Sequence, residues 1–388
     1  MLSLEDIFIA YYDCRTNKRN TTGALEFELH YETECIHLYN EIVNRQYILR
    51  PNTAFIVRDP VKREIFASHF RDRIVHHFLA RKLEAYLERV YIHDVYNSRK
   101  EKWTHYWISR VEKFLRSASK NCTEDVYILK LDISWFFMSI DKQLLSTKIE
   151  SIVKRYIPKE EQEVILYLTK IILFSDVKEN VIIYGNRTDW IGLPKSKSLF
   201  YAKEGKWLPI WNLTSQIFAN IYMHEFDMFI KKTLHIQYYW RYVDDFILIH
   251  KDKEYLRSCI WEIRLFLQEH LGLTLHPKKI YLQHYKKWVL FLWTYIKPWR
   301  IYTGKRTKGN FYNLIQKINI RLIQDDILSE EEIERILSQV NSYLGLMSHT
   351  KSYRLRQKVS MLFHEKFTHF FEWNTIFSQI SLKKNALK

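Results

Sequence analysis

The sequence predicts an α+β fold in which helices alternate with short, strongly β-prone runs. The first observation is VYILKLDISWFFMSI, residues 126–140, whose β-branched and aromatic residues predict a buried strand that ends near Asp132. The second is a pair of β-prone runs that meet at Asp244 and Asp245, which predicts a hairpin with both acids in its turn. The third is apolar spacing typical of helices in the segments 74–87, 212–232 and 254–270.

In chain order, residues 54–90 come first. They alternate basic and apolar positions, as in RDPVKREIFASHFRDRIVHHFLARKLEAYLERV, and predict a strand or loop that leads into a basic amphipathic helix. The adjacent His76 and His77 do not predict a metal site, because neighbouring helix positions point in different directions and the sequence places no third ligand nearby. We interpret them as core or groove histidines.

The remaining elements follow from periodicity and turn residues. Residues 141–174 predict two helices, and residues 181–210 predict loops punctuated by glycine and proline. Two strand-like runs cover 280–283 and 288–296. The pattern is helical and basic again from Phe311 to the end, so we place a separate helical unit there.

The composition predicts a folded protein with a polyanionic partner. Of the 388 residues, 47% are hydrophobic and 16% aromatic, which excludes a disordered or low-complexity protein. The formal charge is +16, and clustered Lys and Arg gain affinity for nucleic acid by displacing phosphate counterions. On composition alone, a basic protein that is merely kept soluble by its charge remains an alternative.

The spacing of the cysteines and the length of the apolar runs bear on where in the cell the protein is expected. Cys14, Cys35, Cys122 and Cys259 lie far apart, so neither a zinc knuckle nor a disulfide framework is predicted. The segment MLSLEDIFIA has two acids and no basic leader, and no apolar run approaches the roughly 20 residues of a membrane helix. We therefore expect a cytoplasmic protein without a membrane partner.

The acids at the strand ends suggest metal chemistry. Two adjacent acids in a buried or half-buried turn repel each other unless a cation neutralises them, and a divalent metal ion is the expected neutraliser. Asp132, at the end of another strand, completes with Asp244 and Asp245 a site for two magnesium ions. The alternative is a solvated turn that contains an Asp-Asp pair.

Residues near these acids have the chemistry to bind a nucleotide. Phe137, five residues after Asp132, is placed to pack against a sugar and to exclude a 2′-hydroxyl. Lys62 and Arg63 are placed to neutralise a triphosphate, since arginine offers a bidentate fork to phosphate oxygens. Taken singly, a core phenylalanine and a solvated basic face are equally ordinary interpretations.

Five blocks in order, YILKLDISWFF, LPIWNLTSQIFANIY, RYVDDFILIH, LHPKK and FLWTYIKP, resemble the successive palm motifs of reverse transcriptases. The Tyr-Val-Asp-Asp box at 242–245 is the most specific of them. The resemblance implies a right-hand polymerase fold with an antiparallel palm sheet backed by helices. It implies fingers within 1–125, a palm at 126–300 with an inserted fingers segment at about 150–210, and a helical thumb and C-terminal tail at 301–388.

The resemblance also implies an activity and a role for each residue of the site. The activity is RNA-directed DNA synthesis, in which a primer is extended along a template RNA with dNTPs and two Mg²⁺ ions, or Mn²⁺ instead. The implied catalytic residues are Asp132, Asp244, Asp245 and Lys279, the lysine protonating the leaving pyrophosphate, although Lys278 is equally placed by sequence. The implied metal ligands are Asp132, Ile133, Asp244 and Asp245. The implied nucleotide-binding residues are Lys62, Arg63, Phe136, Phe137, Ile210, Ser215 and Gln216, with Phe137 as the steric gate.

Three segments narrow the resemblance to one group of reverse transcriptases. Thr214-Ser215-Gln216 in place of the more usual Ser-Pro, the basic FRDRIVHHFL and the SYLGLMSHTKSYRLR segment look like the reverse transcriptases of diversity-generating retroelements. Such enzymes misincorporate opposite template adenine and work with a small, basic, oligomeric accessory protein. Retron and group II intron-related reverse transcriptases share most of the blocks and are the alternative.

Tryptophan stands where the family pattern has glycine. The chain has eight Gly and twelve Trp, and the positions concerned are Trp103, Trp107, Trp135, Trp207, Trp211, Trp240, Trp288, Trp293 and Trp299. Glycine serves at such sites for positive φ or for close backbone approach, and tryptophan meets neither need. We hypothesise that UGA codons for glycine were read as tryptophan. If the tryptophans are genuine, we expect a poorly active polymerase or a catalytically impaired RNA-binding homologue.

Overall fold

The computed structural model describes residues 2–16, 18, 21–58, 61–99, 102, 104–210, 212–287, 289–291, 293–297, 299–324 and 328–383. Trp103, Trp211 and Trp288 lie outside these ranges. The chain forms two compact units, one of residues 1–102 with 129–282 and the other of residues 103–128 with 283–388. The fold is α+β, as the sequence predicts.

The helices and strands of the described ranges have the following bounds. The helices are α1 (Leu4–Arg15), α2 (Thr22–Glu28), α3 (Tyr31–Val43), α4 (Phe70–Leu87), α5 (Thr104–Ala118), α6 (Phe136–Ser139), α7 (Lys142–Tyr156), α8 (Lys159–Phe174), α9 (Leu213–Met228), α10 (Lys253–Leu271), α11 (Lys305–Gln324), α12 (Glu330–Ser348), α13 (Tyr353–Ser360) and α14 (Phe367–Phe370). The strands are β1 (Thr53–Val57), β2 (Arg63–Ala67), β3 (Tyr127–Asp132), β4 (Ile182–Ile183), β5 (Tyr238–Tyr242), β6 (Asp245–His250), β7 (Tyr281–His284), β8 (Val289–Phe291), β9 (Thr294–Lys297), β10 (Arg300–Thr303), β11 (Phe371–Trp373) and β12 (Ile380–Leu382).

The sheet that carries the aspartates has the strand order β5-β6-β3-β7. β5 and β6 form an antiparallel hairpin in which Tyr242 pairs with Asp245. Phe246, Ile247, Leu248 and Ile249 of β6 are all buried, as expected for a central strand covered on both faces. Helix α10 packs beside this hairpin, and Phe226 of α9 meets Phe246 of β6 with ring centroids 5.1 Å apart. Helix α10 begins at the Asp252 cap and ends at Gly272, whose φ is 60°.

A smaller sheet and a helical cluster complete the first unit. β1 pairs antiparallel with β2 and parallel with β4. Helices α1 to α3 pack their aromatic residues around α4, where Tyr11 stacks on Tyr31 with ring centroids 5.1 Å apart. His76 of α4 is buried, with Nδ1 2.7 Å from the hydroxyl of Thr214 and Nε2 3.2 Å from that of Ser68. It is therefore a core histidine.

The second unit differs from the sequence prediction in two places. The strand-like run 288–296 is two strands, β8 and β9, which pair as neighbours in the sheet β10-β9-β8. The C-terminal segment is not wholly helical, because β11 and β12 form an antiparallel hairpin after α14. Short apolar runs do not by themselves distinguish a strand from a buried helix segment, which is why the C-terminal hairpin was missed.

None of the helices within the described ranges is long and apolar enough to cross a membrane. The division into fingers, palm and thumb stays a prediction, because units defined by packing need not coincide with functional subdomains. Residues 103–128, which the sequence prediction divides between the N-terminal region and the start of the palm, pack with the C-terminal segment in the structure.

Candidate active site

Two aspartates meet where β3 ends and the β5–β6 hairpin turns. The backbone N–H of Ile133 donates to the carbonyl oxygen of Asp244 over 3.2 Å, which fixes the end of β3 against the turn. Asp132 and Asp244 both line one recess of about 420 Å³. The structure therefore brings together the carboxylates that the sequence predicts for two separate strand ends.

The recess contains most of the predicted site. Its lining includes nine of the predicted residues, namely Lys62, Arg63, Asp132, Ile133, Phe136, Phe137, Ile210, Asp244 and Lys279. Asp245, Ser215 and Gln216 do not line it. Gln216 lines a neighbouring recess of about 480 Å³ with Lys18, Arg73 and His77, and Ser215 is buried.

Asp245 does not line the recess that Asp132 and Asp244 share. Its Oδ2 lies 3.0 Å from the ammonium of Lys130, and its Oδ1 is buried without a hydrogen-bond partner among the residues that the structure describes. Burial raises the pKa of the Asp245 carboxyl, and the charge of Lys130 opposes that rise. Asp245 thus has its own cation, and its predicted role in metal binding stays a prediction.

Asp244 has an unusual protonation equilibrium. Burial, followed by the negative charge of Asp132, raises the pKa of the Asp244 carboxyl to about 7. Two carboxylates that face one recess repel each other, and a cation placed between them would favour the ionised form of both. The site therefore has the electrostatics of a cation-binding site.

Lys279 neutralises Asp132. Its ammonium lies 2.9 Å from each carboxylate oxygen of Asp132. Although partial burial lowers the pKa of the Lys279 ammonium, its hydrogen bonds to Asp132 and the charge of that carboxylate raise it more, and the net pKa lies above the usual value. The backbone N–H of His276 donates to the Asp132 carbonyl over 2.8 Å, which holds this segment beside β3. Lys278 does not line the recess.

The residues present fit a magnesium ion held jointly with a substrate. Within the described ranges, no group of three His, Cys, Asp or Glu side chains is arranged to hold a metal ion. Magnesium usually binds one or two carboxylates together with waters and substrate phosphates. Asp132 and Asp244 supply such a pair, and Ile133 lies at the same edge of the recess.

The cationic wall of the recess comes from the β1–β2 turn and a neighbouring loop. Arg63 is exposed at the start of β2, and Lys62 donates to the carbonyl of Ile191 over 2.6 Å. Glu64 is buried and anchors the loop, because it accepts hydrogen bonds from the Trp190 indole and the Ser198 hydroxyl. This anchoring places the cationic loop beside β2.

The aromatic doublet after Asp132 is divided between the core and the recess. Phe136 is buried, whereas Phe137 is half-buried, and the rings meet edge to face with centroids 5.3 Å apart. The backbone N–H of Leu208 donates to the Phe137 carbonyl over 2.7 Å. Phe137 therefore lines the recess together with Asp132, and its role as a steric gate stays a prediction.

Sequence reasoning did not assign six of the residues that line the recess, namely Val61, Glu64, Met138, Ser196, Lys197 and His276. Ser196 and Lys197 belong to the loop anchored by Glu64, and His276 precedes the predicted lysine pair. The basic run KSK was a usable signal for Lys197. Nothing in the sequence distinguishes Ser196 or His276 from ordinary surface residues.

The tryptophans separate by backbone conformation. Trp135, Trp207 and Trp299 have φ values of 45°, 139° and 68°, and a bulky residue at positive φ is a conformational outlier. Trp107 and Trp240 do not have positive φ: Trp107 lies in α5, and Trp240 is fully buried in β5 and stacks on Tyr96. Trp293 also lacks positive φ.

The hypothesis that glycine codons were read as tryptophan therefore applies to particular positions and not to every tryptophan. At residues 135, 207 and 299 the backbone has a conformation that favours glycine. At residues 107 and 240 the indole is buried in the core, and Trp207 combines the glycine-like backbone with a buried indole. Trp135 matters most for the site, because it lines the recess and is 56% exposed.

Comparison with protein-family models and with curated protein sequences finds no match. Among solved structures, the chain is similar to Candida tropicalis apo telomerase truncated from the C-terminal domain, with 14% identity over 68% of this chain and 59% of that one and a TM-score of 0.46. It is similar to Candida albicans telomerase in complex with a TWJ fragment of telomeric RNA, with 13% identity over 87% and 65% of the two chains and a TM-score of 0.47. A further Candida tropicalis apo telomerase structure gives 14% identity over 81% and 58% and a TM-score of 0.49.

The chain spans about three fifths of the length of these telomerases. At this degree of similarity they carry no argument about function. The function is therefore argued from the geometry of the recess and from the motifs in the sequence.

Proposed function

We propose that the chain is an RNA-directed DNA polymerase that extends a primer along a template RNA. The observation that carries the proposal is that Asp132, Asp244, Lys62, Arg63 and Phe137 all line one recess. Paired acids suit divalent metal ions, cationic side chains suit a triphosphate, and an aromatic ring suits a sugar. A dNTP with its metal ions combines these three features.

Asp132 and Asp244 are the residues that would hold magnesium, together with Ile133 at the same edge. When bound, the metal ions activate the attacking primer hydroxyl and neutralise charge on the departing pyrophosphate. Because the pKa of Asp244 is raised to about 7 by burial and by Asp132, a fraction of this carboxyl carries a proton at neutral pH. Cation binding displaces that proton, so affinity for the metal should increase with pH.

The cationic side chains have separate tasks. Arg63 and Lys62 orient the triphosphate and reduce the repulsion between its oxygens and the acids. Lys279 has a pKa above the usual value and is therefore protonated at neutral pH, as a proton donor to pyrophosphate must be. It must leave Asp132 for that task, because its ammonium is bound to both carboxylate oxygens.

Within this class we propose the reverse transcriptase of a diversity-generating retroelement. The support is the Thr214-Ser215-Gln216 sequence and the resemblance of the basic and C-terminal segments. Its partners would be a template RNA, a primer or cDNA strand and a small, basic, oligomeric accessory protein. Retron and group II intron-related enzymes remain the alternative, and a cytoplasmic location and the use of Mg²⁺ or Mn²⁺ are part of the proposal.

A second candidate function is supported by Trp135. Its exposed indole projects from a strained backbone into the lining of the recess, where it competes for space with a nucleotide. A chain with this tryptophan would keep the nucleic-acid-binding surface and lose most of its synthesis. The candidate is a catalytically impaired RNA-binding homologue.

Primer extension on an RNA template tests the polymerase proposal. The proteins are the chain with Trp135, Trp207 and Trp299 changed to glycine, the same protein with Asp244→Asn, and the unsubstituted chain. We expect the glycine protein to extend the primer and Asp244→Asn to lower the rate by roughly 1,000-fold, since metal charge stabilisation contributes several kcal/mol. No extension by the glycine protein contradicts the proposal.

The same reaction tests the finer proposal. Sequencing the cDNA should show errors concentrated opposite template adenines, and an even error spectrum would favour the retron or group II intron alternative. Binding of the RNA by the unsubstituted chain, without extension, would support the impaired homologue.

A further inference from the structure

The loop that follows α4 lies along the edge of the aspartate hairpin. Val95 forms a parallel bridge with Arg241 of β5. The N–H of Arg241 donates to the Asp94 carbonyl over 3.1 Å, and the N–H of Tyr96 donates to the Arg241 carbonyl over 3.2 Å. This short pairing places Asn97 at the end of β5, beside the turn that leads to Asp244.

Asn97 connects two parts of the site through one side-chain amide. It is 1% exposed. Its Oδ1 accepts from the backbone N–H of Val243 over 3.3 Å, and its Nδ2 is 3.4 Å from the backbone carbonyl oxygen of Gln216. The Asn97 carbonyl accepts from Nδ2 of Asn220 over 2.9 Å, so helix α9 also holds the loop.

Val243 needs such support. Its φ is 55°, and a β-branched residue in the left-handed region is held there only by its surroundings. The carbonyl of Val243 accepts from Nη1 of Arg241 over 3.1 Å, and its N–H donates to Asn97. Both backbone groups are therefore fixed, and Asp244 follows directly in the chain.

We propose that Asn97 is a positioning residue that fixes the Asp244 turn relative to Gln216 and so couples metal binding to nucleotide binding. The inference rests on the proposed function, which places the metal at Asp244, and on the sequence prediction that Gln216, which lines the neighbouring recess, binds the nucleotide. Asparagine suits the position because one amide supplies an acceptor for Val243 and a donor for Gln216. Aspartate keeps the acceptor and loses the donor, whereas leucine has a similar size and loses both.

Three variants of the full chain test the coupling. Asn97→Leu removes both bonds and Asn97→Asp removes the bond to Gln216. Asn341→Leu is the matched control, since Asn341 accepts from the Ile380 N–H over 2.8 Å and donates to its carbonyl over 2.9 Å in the second unit. Mn²⁺ binding is measured by the electron paramagnetic resonance of free Mn²⁺. Nucleotide binding is measured with a dideoxy-terminated primer annealed to RNA. The measured quantity is the dGTP concentration at which the complex of protein, primer and RNA resists a competitor strand.

We expect Asn97→Leu to weaken Mn²⁺ binding by about 10-fold or more, the usual effect of losing a residue that orients a metal ligand. Asn97→Asp should bind Mn²⁺ at least as tightly as the unsubstituted chain, yet need about 10-fold more dGTP. Asn341→Leu should leave both affinities unchanged. A residue that only stabilised the fold would not separate metal affinity from nucleotide affinity in this way.

Equal Mn²⁺ affinity for Asn97→Leu and the unsubstituted chain would overturn the inference. An Asn97→Asp protein that binds Mn²⁺ as weakly as Asn97→Leu would also overturn it. Asp244→Asn distinguishes this failure from failure of the proposed function. If Asp244→Asn does not weaken Mn²⁺ binding, the proposed metal site is wrong and the inference falls with it. If Asn97→Leu does not fold, Asn97→Asp decides alone, and unchanged dGTP dependence contradicts the coupling.

Discussion

Two residues near the recess, Val243 and Trp135, share the left-handed conformation but differ in what holds them there. Val243, with φ 55°, is 7% exposed, and its N–H and carbonyl are bound by Asn97 and Arg241. Trp135, with φ 45°, is 56% exposed, and no side chain caps the short helix α6 that it precedes. The strained backbone at Val243 is thus held by a buried side-chain network, whereas at Trp135 the described residues supply a backbone hydrogen bond from Met138 and no side-chain cap.

The comparison teaches that an unfavourable φ is informative only together with its surroundings. Arg241 and Asp227 are both fully buried and paired at 2.6 Å, and Tyr239 donates to Asp227 over 2.7 Å. A network of this kind can hold a strained turn in one geometry, as a site that positions Asp244 requires. At residue 135 the backbone has a conformation that favours glycine, but the side chain is that of tryptophan.

Arg241→Met breaks the support of Val243 and has the largest expected effect. It leaves Asp227 buried without its cation, which costs about 3 to 5 kcal/mol of unfolding free energy. Urea denaturation measures the change. The matched control is Arg257→Met, since Arg257 pairs with Glu254 at 2.6 Å on the exposed face of α10, and it should cost less than about 1 kcal/mol. Equal stability of the two variants would show that the buried network does not hold the turn.

Asp244→Asn should change how the unfolding free energy depends on pH, which tests the environment of the residue that follows Val243. The pKa of Asp244 is raised to about 7 in the fold by burial and by Asp132, so the folded chain keeps a proton that the unfolded chain releases above about pH 4. Stability from this group is therefore present below pH 4 and is lost as pH rises towards 7.

Asp244→Asn removes this loss of stability at high pH, because asparagine does not titrate. Without divalent metal, the gain in unfolding free energy from Asp244→Asn should be about 2 kcal/mol larger at pH 8 than at pH 5.5. Urea denaturation in EDTA at the two pH values is the measurement. The same gain at both pH values would mean that Asp244 titrates normally.

Trp135→Gly removes the strain that lacks support. The left-handed conformation costs a side-chain residue about 1 to 2 kcal/mol, and the greater freedom of unfolded glycine offsets part of the gain. We expect a net stabilisation of about 1 kcal/mol in urea denaturation and faster primer extension, because the indole leaves the recess.

Trp240→Gly is the contrasting variant. Trp240 is fully buried and has no positive φ, so its loss should cost about 3 to 5 kcal/mol, the usual range for a large core aromatic residue. Coding DNA gives an independent check. UGG codons at 135, 207 and 299 would remove the mistranslation explanation.

Val243→Gly has the smallest expected effect on stability. Relief of strain opposes the loss of a buried side chain and the added freedom of the unfolded chain, so the unfolding free energy should change by less than about 1 kcal/mol. Primer extension should nevertheless slow, because the turn before Asp244 loses its stiffness. A rate equal to that of the unsubstituted valine would show that the network alone positions Asp244.

Much of the site could be predicted because its elements have local signals. The β-branched run before Asp132 and the two runs around Asp244 predict strands whatever surrounds them. The helices α4, α9 and α10 follow from apolar spacing in the same way. The C-terminal hairpin β11–β12 could not be predicted, because its strands are three residues each and pair by contacts that periodicity does not record.

Within the site, the sequence by itself predicted which residues would carry the chemistry. Asp132, Asp244, Lys62, Arg63 and Phe137 are recognisable from residue type and position beside strand ends. Tertiary structure decided which of them face the same space, that Asp245 pairs with Lys130 instead, and that Lys279 rather than Lys278 reaches Asp132. It also decided the place of Asn97, which meets Val243 from 146 positions away in the chain. The physical reason is that charge, burial and hydrogen bonding depend on distances in space, whereas periodicity reports only what lies a few residues along one element.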